Sequence, residues 1–508
     1  MKKNLFTVLV PAVLIGITIF TACRKRGETV VNSLPDTLNV VVFDDASQFN
    51  PLLNNTFSDI MSNYQIYERL VYVVDGKPVP GLAQSWTVSP DGRNYTFTLR
   101  ANTTFHDGSK LTAEDVIFSF ESNLDRPSAA SSRAKYSSYR AVDENTVEVV
   151  FAYPLDSAFS LLASPGMGIV SKTYVQAKGN DAWLNPVGTG AYKLKEWIKG
   201  SRISFEAFDT YSGTPAAIKY LNFNIIKDAS TALVSLETGD NHFLINLQAA
   251  SIPLVEDNRS LVLQTVPSHS AVSLILNTRQ GVLTNQKLRQ AIAHAINRET
   301  INEVAFEGSG TISGGSYSDF LLYDGKDYTF PYDKEKARQL LADAGYSPGE
   351  VSFTIKTADV YGDVVPQIIQ DNLAEIGINV DIQILEIGAH SQDWLNADFE
   401  VIYQGGSEII PDLAETLYNT YHWPDSSWSA HAPDRDLFNA ELDALHNESD
   451  TAKKTELASR LLGEVLQWAG EIPLVIRQAN IVYRNGLTGT YVDPNGMFYC
   501  FKDFSWKL

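Results

Sequence analysis

The hydrophobic pattern of the chain changes near its middle. In the first half, apolar and polar residues alternate in short runs, a period of two that is typical of half-buried β-strands. The clearest runs are residues 38–42, 95–99, 146–151 and 203–208. In the second half, apolar residues return at i, i+3, i+4, i+7 and i+8, the spacing of one helical face. The first such face consists of Leu288, Ala291, Ile292, Ala295 and Ile296. The pattern predicts an α+β part followed by a part with buried amphipathic helices.

The second part also contains a strand–helix–strand unit. Residues 351–357 and 378–385 are predicted strands, and the helix between them carries Pro366 in its first turn and ends before Gly377. Since a crossover of this kind joins parallel strands, the unit predicts an α/β lobe with a largely buried sheet. A separate helix is predicted to begin after Asp333 and to end at Gly345. Two unlike lobes imply a cleft between them.

Length and charge narrow the class of protein. A chain of 508 residues exceeds the size at which one hydrophobic core stops growing, so two or three domains are expected. The formal net charge of −20 and the lack of a long Lys or Arg run argue against nucleic acid as a partner. No repeat or Pro-rich linker divides the chain, which favours lobes between which the chain crosses more than once.

The N-terminus is typical of a secreted protein. Lys2 and Lys3 precede an uncharged, mostly apolar stretch at residues 5–20, which is shorter than the roughly 20 residues of a membrane-spanning helix. The stretch ends in Thr21-Ala22-Cys23, which resembles a bacterial lipobox and implies cleavage before Cys23 and lipidation of its thiol. Residues 1–22 are then a lipoprotein signal peptide and residues 23–36 a linker. A transmembrane anchor flanked by Arg24–Arg26 is the alternative.

Known catalytic motifs are missing from the sequence. It has no phosphate-binding G-x-x-x-x-G-K-[ST] loop, no G-x-S-x-G elbow and no H-E-x-x-H pair. His106-Asp107-Gly108 is better explained as a turn than as a catalytic group. We therefore expect no enzymatic activity, no catalytic residue, no metal site and no cofactor.

A series of motifs resembles the bacterial extracellular solute-binding proteins of family 5, the dipeptide- and oligopeptide-binding lipoproteins of ABC importers. The resemblance covers about residues 37–505. Its motifs include Pro80-Gly81-Leu82-Ala83-Gln84-Ser85-Trp86, Tyr95-Thr96-Phe97-Thr98-Leu99-Arg100, Phe105-His106-Asp107-Gly108, Thr112-Ala113-Glu114-Asp115-Val116, Pro186-Val187-Gly188-Thr189-Gly190 and Arg289-Gln290-Ala291-Ile292-Ala293-His294.

This resemblance implies an α/β, two-lobe periplasmic-binding-protein fold of the hinged type II, with three domains. Domain I would comprise residues 37–75, 190–285 and 480–508, domain II residues 76–189, and domain III residues 286–479. It further implies a monomeric, extracytoplasmic receptor, anchored to the membrane by lipid, that delivers its ligand to permease subunits driven by separate ATPase subunits.

The resemblance also indicates the ligand and where it binds. A peptide amine buried in a closed cleft needs a carboxylate partner. The segment that supplies it in the family corresponds here to residues 403–412, where Glu408 best occupies the amine-binding position and Asp412 is second choice. The segment departs from the family pattern, because a glycine replaces the usual tryptophan. The remaining predicted ligand-binding residues are Tyr403, Gly406, Ser407, Thr56 and Phe57.

Peptide length and ligand class stay open at this point. Dipeptide-specific relatives place an arginine after the strand that corresponds to residues 351–357, but this sequence has no arginine between Arg338 and Arg435. Oligopeptides are therefore favoured over dipeptides. Other branches of the family bind nickel chelates, oligosaccharides or opines, and a lipoprotein enzyme or adhesin on the same fold is the alternative from another class.

Overall fold

A computed structural model describes residues 35–54, 56–74, 76–126, 133–248, 251–312, 330–407, 412–422 and 435–507. The predicted signal peptide, most of the linker, the lipidation site Cys23 and the predicted amine-binding residue Glu408 lie outside these residues.

The strands of the described residues are β1 (Thr37–Val42), β2 (Val71–Val74), β3 (Lys77–Pro80), β4 (Ala83–Val88), β5 (Asn94–Leu99), β6 (Tyr136–Asp143), β7 (Thr146–Phe151), β8 (Tyr192–Ile198), β9 (Arg202–Ala207), β10 (Tyr220–Ile225), β11 (Phe243–Ile245), β12 (Leu261–Leu276), β13 (Val351–Ala358), β14 (Ile378–Leu385), β15 (Val401–Ser407), β16 (Glu471–Arg484), β17 (Leu487–Thr488) and β18 (Ser505–Trp506).

The α-helices of the same residues are α1 (Phe57–Ile66), α2 (Ala113–Leu124), α3 (Ala158–Leu162), α4 (Lys172–Lys178), α5 (Ala229–Thr238), α6 (Ile252–Glu256), α7 (Gln286–Ala295), α8 (Arg298–Ala305), α9 (Lys334–Asp343), α10 (Val364–Ala374), α11 (Ile387–Asn396), α12 (Leu413–Tyr421), α13 (Arg435–Asn447) and α14 (Thr451–Trp468).

A ten-stranded mixed sheet forms the backbone of the fold, in the order β14-β13-β15-β12-β16-β11-β1-β10-β9-β8. At one end, β13 and β14 are parallel over their whole length, from Val351 opposite Ile378 to Ala358 opposite Leu385. Helix α10 joins them, which confirms the predicted strand–helix–strand unit. Asp333 caps α9 by accepting a hydrogen bond from the Lys336 amide, as its position predicted.

A separate antiparallel sheet, in the order β4-β5-β7-β6, accounts for the alternating runs at residues 95–99 and 146–151. Phe97, Val147 and Val149 are fully buried on its inner face, against Val116 and Phe120 of α2. The Thr112 hydroxyl and the Asp115 carboxylate cap each other's main chain at the start of α2, as the spacing of the two residues predicted.

Two long strands connect different hydrophobic cores. Near their ends in the α/β part, β12 and β16 contribute Val272 and Val475 to a core with helices α7 to α10. At their other ends, Leu261 and Val482 enter a core with α5. Between these cores the pairing shifts register at Pro267 to Ala271. The register shift, a β-bulge or similar irregularity, therefore lies between the two cores that these strands connect.

Candidate functional site

Strand β15 carries three of the seven predicted ligand-binding residues, Tyr403, Gly406 and Ser407, and lies between β12 and β13 in the sheet. It is antiparallel to β12 as far as Ser270 opposite Ser407. It is parallel to β13, so both strands end at the same edge of the sheet. Ligands in open α/β sheets bind at such carboxyl edges, where loops and strand ends leave a crevice.

The pairing of β15 with β13 is short. It comprises Val401 opposite Ile355 and Ile402 opposite Lys356, and no further residue of β15 pairs with β13 in the described part of the chain. Beyond Ile402, the edge of β15 that faces away from β12 therefore lacks a strand partner among the described residues. The Tyr361 hydroxyl approaches this edge and lies 3.5 Å from the Gly405 carbonyl oxygen.

Tyr403 occupies the inner end of this segment. Its side chain is 3% exposed and belongs to the core of the α/β part. Its carbonyl oxygen lies 3.1 Å from Nε2 of His390, and burial raises the pKa of its phenol well above the ordinary value. The ring packs edge-on against Tyr361. Tyr403 thus supports the segment from inside the core, and a ligand contact of its side chain stays a prediction.

Arg477 lies beside the same segment, although it comes from β16. Its guanidinium donates hydrogen bonds to the Ser270 hydroxyl, from Nε at 3.2 Å and also from Nη2. A Cβ atom added to Gly405 would lie 3.4 Å from Nη2 of Arg477 and 3.8 Å from the Tyr361 ring. The absence of a side chain at Gly405 therefore leaves its main chain open between a cation and an aromatic ring.

The outer end of β15 holds two further predicted residues, Gly406 and Ser407. Gly406 pairs with Ala271 and Ser407 with Ser270, and Glu408 comes directly after them, outside the described residues. The structure places Gly406 and Ser407 on the strand itself, although the family segment implied a position after a strand. Their contact with a ligand, and the role of Glu408, stay predictions.

Asp412 has a structural function that the sequence did not indicate. It is 1% exposed and caps helix α12, accepting hydrogen bonds from the amides of Ala414 at 2.9 Å and Glu415 at 3.2 Å. Burial raises the pKa of its carboxyl, and a hydrogen bond from Ser157 opposes this rise. Its carboxylate already accepts two main-chain hydrogen bonds of the helix. A role of Asp412 in ligand binding stays a prediction.

Thr56 and Phe57 form the start of helix α1. The Thr56 hydroxyl accepts from the Asp59 amide at 3.0 Å, and the Asp59 carboxylate accepts from the Thr56 amide in return. The Phe57 amide donates to the Asp44 carboxylate at 3.0 Å. The main-chain and hydroxyl contacts of both residues thus stabilise the start of the helix. Their predicted contact with a ligand stays a prediction.

Sequence reasoning missed Ser270, Tyr361 and Arg477. The signal for Arg477 was present, because a cation follows directly after the apolar run of residues 472–476. Ser270 and Tyr361 gave no comparable signal. Within the described ranges, no group of three or more His, Cys, Asp and Glu side chains is placed to hold a metal ion.

Comparison with protein families gives an extended match. The model of the bacterial extracellular solute-binding proteins, family 5 (middle region), matches residues 77–428. The chain is 28% identical over 436 residues to the glutathione-binding protein GsiB of Salmonella paratyphi A, which covers 82% of this chain and 84% of that protein.

Comparison with solved structures agrees. The ABC transporter-associated periplasmic binding protein DppA from Helicobacter pylori, in complex with the peptide STSA, superposes with a TM-score of 0.77 at 26% identity and covers 93% of this chain and 98% of that one. NikA from Brucella suis, in complex with Fe(III)-EDTA, gives a TM-score of 0.84 at 21% identity and covers 93% and 100% of the two chains. These matches confirm the predicted α/β periplasmic-binding-protein fold.

Proposed function

Because the chain belongs to family 5 of the bacterial extracellular solute-binding proteins, we propose that it captures a peptide, most simply an oligopeptide, for an ABC importer. The family consists of binding proteins of transporters, so this chain is a non-enzymatic solute-binding protein and works with a permease. That the ligand is a peptide is our proposal.

The partnerless edge of β15 is the observation that carries this proposal. In a strand, successive residues direct their N–H and C=O groups to opposite edges. The Tyr403 and Gly405 carbonyls meet side chains of the α/β part on the edge away from β12, so the main chain of residues 403, 405 and 407 faces that edge. His390 covers this edge at Tyr403, so an extended peptide can hydrogen-bond as an added strand beside residues 405 and 407, and such pairing accepts any side-chain sequence.

Two relatives support a peptide over other solutes. GsiB is named for glutathione, which is itself a tripeptide, and the Helicobacter pylori protein was solved with the peptide STSA. Nickel chelates, oligosaccharides and opines lack a regular series of backbone amides and could not use an added-strand mode. They are the alternatives if no peptide binds.

An N-methyl scan tests the added-strand mode directly. The pentapeptide best retained from a random library is resynthesised with one methylated amide at a time, and binding is measured by calorimetry. Methylation at alternate positions is expected to weaken binding about five- to tenfold, because each such position loses one hydrogen bond. The intervening positions should tolerate methylation.

Equal loss at every position would contradict pairing with the β15 edge. Failure of the protein to retain any peptide would overturn the peptide assignment and leave another solute of the same family. Conversion of peptides or esters by the purified protein would instead indicate the enzyme alternative.

We also propose that Cys23 becomes the lipidated N-terminus of the mature protein. The supporting feature is the short apolar stretch that ends in Thr21-Ala22-Cys23. Across the described ranges from residue 35 onward, none of the helices is sufficiently long and apolar to span a bilayer. Cys23→Ser should abolish the incorporation of a labelled fatty acid and release the protein from membranes. Retention of the variant at the membrane would indicate a helical anchor.

A further inference from the structure

We propose that Arg477 binds the C-terminal carboxylate of the captured peptide. This inference rests on the proposed peptide-binding function and adds a specificity to it, namely a preference for ligands with a free carboxylate. The arginine comes from β16 and not from the loop after β13, where the sequence lacks one.

The position of Arg477 in its strand is unusual. Ile472 to Ile476 and Ala479 to Val482 are buried, whereas Arg477 is exposed in the middle of the same strand. It lies opposite the register shift of β12, between the two cores that the strands connect. Arg477 is thus a solvent-exposed cation between the two cores that β12 and β16 connect.

Arg477 has unused hydrogen-bonding capacity. A guanidinium carries five N–H donors in a planar arrangement. Among the described residues, Arg477 donates only to the Ser270 hydroxyl and forms no ion pair. By contrast, Arg289 donates to the carbonyls of Leu283, Thr284 and Trp468 and so has a structural role.

Ser270 holds the guanidinium in place without neutralising it. Ser270 is buried, and the Ser268 hydroxyl holds its main chain. This hydroxyl accepts a hydrogen bond from the Ser270 amide and donates one to the Ser270 carbonyl. An arginine fixed by a neutral partner keeps its charge available, and a carboxylate is the acceptor that matches two parallel N–H donors.

The cation lies over one face of the strand whose edge the peptide would use. Nη2 of Arg477 lies 3.4 Å from the Cβ position of Gly405, and Gly405 is one of the residues whose main chain faces the partnerless edge. A peptide that pairs with β15 and ends near Gly405 would place its carboxylate within reach of the guanidinium.

Two matched peptide libraries test the inference. Random pentapeptides are prepared as free acids and as C-terminal amides, and the fraction retained by the protein is quantified by equilibrium dialysis and mass spectrometry. The wild-type protein should retain acids about ten- to a hundredfold better than amides, the factor expected for hydrogen bonds to a charged group. Arg477→Gln should lose this preference and retain amides as the wild type does.

Arg140→Gln is the control for net charge, because Arg140 is an exposed residue of β6 that pairs with Glu148. It should keep the full preference for acids. Arg477→Lys should keep part of it, since lysine retains the charge but not the paired donors. Thermal melting of each variant verifies folding.

The outcomes separate the two proposals. Retention of acids and amides alike by the wild type, or an undiminished preference for acids in Arg477→Gln, would overturn the role of Arg477 and leave peptide binding intact. Retention of neither library by the wild type would overturn the peptide function, and the role of Arg477 with it.

Discussion

His106 connects two turns that are far apart in sequence. Its main-chain N–H donates to the Gly188 carbonyl at 2.8 Å, its Nδ1 accepts from the Gly188 amide at 3.3 Å, and its Nε2 lies 2.9 Å from the Gly190 carbonyl. One ring nitrogen accepts and the other donates, which requires a neutral imidazole. Burial accordingly lowers the pKa of His106 to about 4. Gly108 has φ +85°, which confirms the turn interpretation of this motif.

This neutral histidine predicts a loss of stability in acid. Between about pH 6.5 and pH 4 the unfolded chain binds a proton at His106 that the folded chain does not, so the free energy of unfolding falls as the pH falls through this window. The contribution is at most about 3 kcal/mol, from the difference between the two pKa values. In urea unfolding at a series of pH values, His106→Gln should show a shallower pH dependence than the wild type.

His242 titrates in the same pH range but does not affect this comparison. Its pKa is also lowered to about 4 by burial, and it is present in both proteins, so its effect cancels in the comparison. Superimposable pH profiles of the wild type and His106→Gln would show that His106 does not titrate in this way.

Gly188 and Gly190 complete the same contact from the other side. Cβ atoms at these positions would lie 2.0 Å from the Ile66 carbonyl and 2.1 Å from the Gln65 carbonyl at the end of α1. These atoms belong to the main chain and cannot move aside like a flexible side chain. The Gly188-Thr189-Gly190 motif is therefore required by the close approach of a turn to a helix end.

At the scale of elements, a buried network of charges joins the sheet of β4 to β7 to the helices α12 to α14. Glu415 of α12 is 5% exposed, pairs with Lys135 and accepts a hydrogen bond from the Tyr153 hydroxyl at 3.2 Å. Nε2 of His446 lies 2.9 Å from its carboxylate, but burial lowers the pKa of this histidine to about 3, so its imidazole is neutral. Close by, Lys454 of α14 pairs with Asp156 at 2.7 Å. Side chains that are far apart in sequence here share one desolvated site.

Glu415→Gln tests the network. The substitution keeps the shape of the side chain but removes the carboxylate that pairs with Lys135, whose side chain is 12% exposed, and leaves the Asp412 carboxylate as the other negative charge that acts on this lysine. A buried charge that loses its partner costs about 3–5 kcal/mol, so chemical denaturation should show a loss of that size in the free energy of unfolding. Replacement of both residues, as Lys135→Met with Glu415→Leu, should recover much of the loss.

Glu464→Gln is the matched control, because Glu464 forms an exposed ion pair with Arg460 on α14. An exposed pair of this kind contributes less than about 1 kcal/mol. Equal losses for Glu415→Gln and Glu464→Gln would mean that the Glu415 site is hydrated and not a buried network.

At the scale of the whole molecule, the large sheet extends through cores that lie on different parts of the chain. Strands β12 and β16 leave the core of α7 to α10, cross the register shift and enter the cores on the other side. The three-domain division remains a proposal.

The sequence by itself determined the elements whose pattern is local. The strand–helix–strand unit follows from hydrophobic period and from Pro366 and Gly377, and the starts of α2 and α9 follow from capping residues. These features depend on neighbours within a few residues, which the sequence displays directly. The family resemblance likewise rests on contiguous motifs.

Only the tertiary structure decided which distant residues meet. Strand β12 lies between β15 and β16 in the sheet, and this order brings Arg477 of β16 against Ser270 of β12 and close to Gly405 of β15. His106 contacts Gly188 and Gly190 because their turn packs against the end of α1. Strand order and helix packing depend on the burial of whole faces. A single sequence does not record which face covers which, and so the cation beside β15 became visible only in three dimensions.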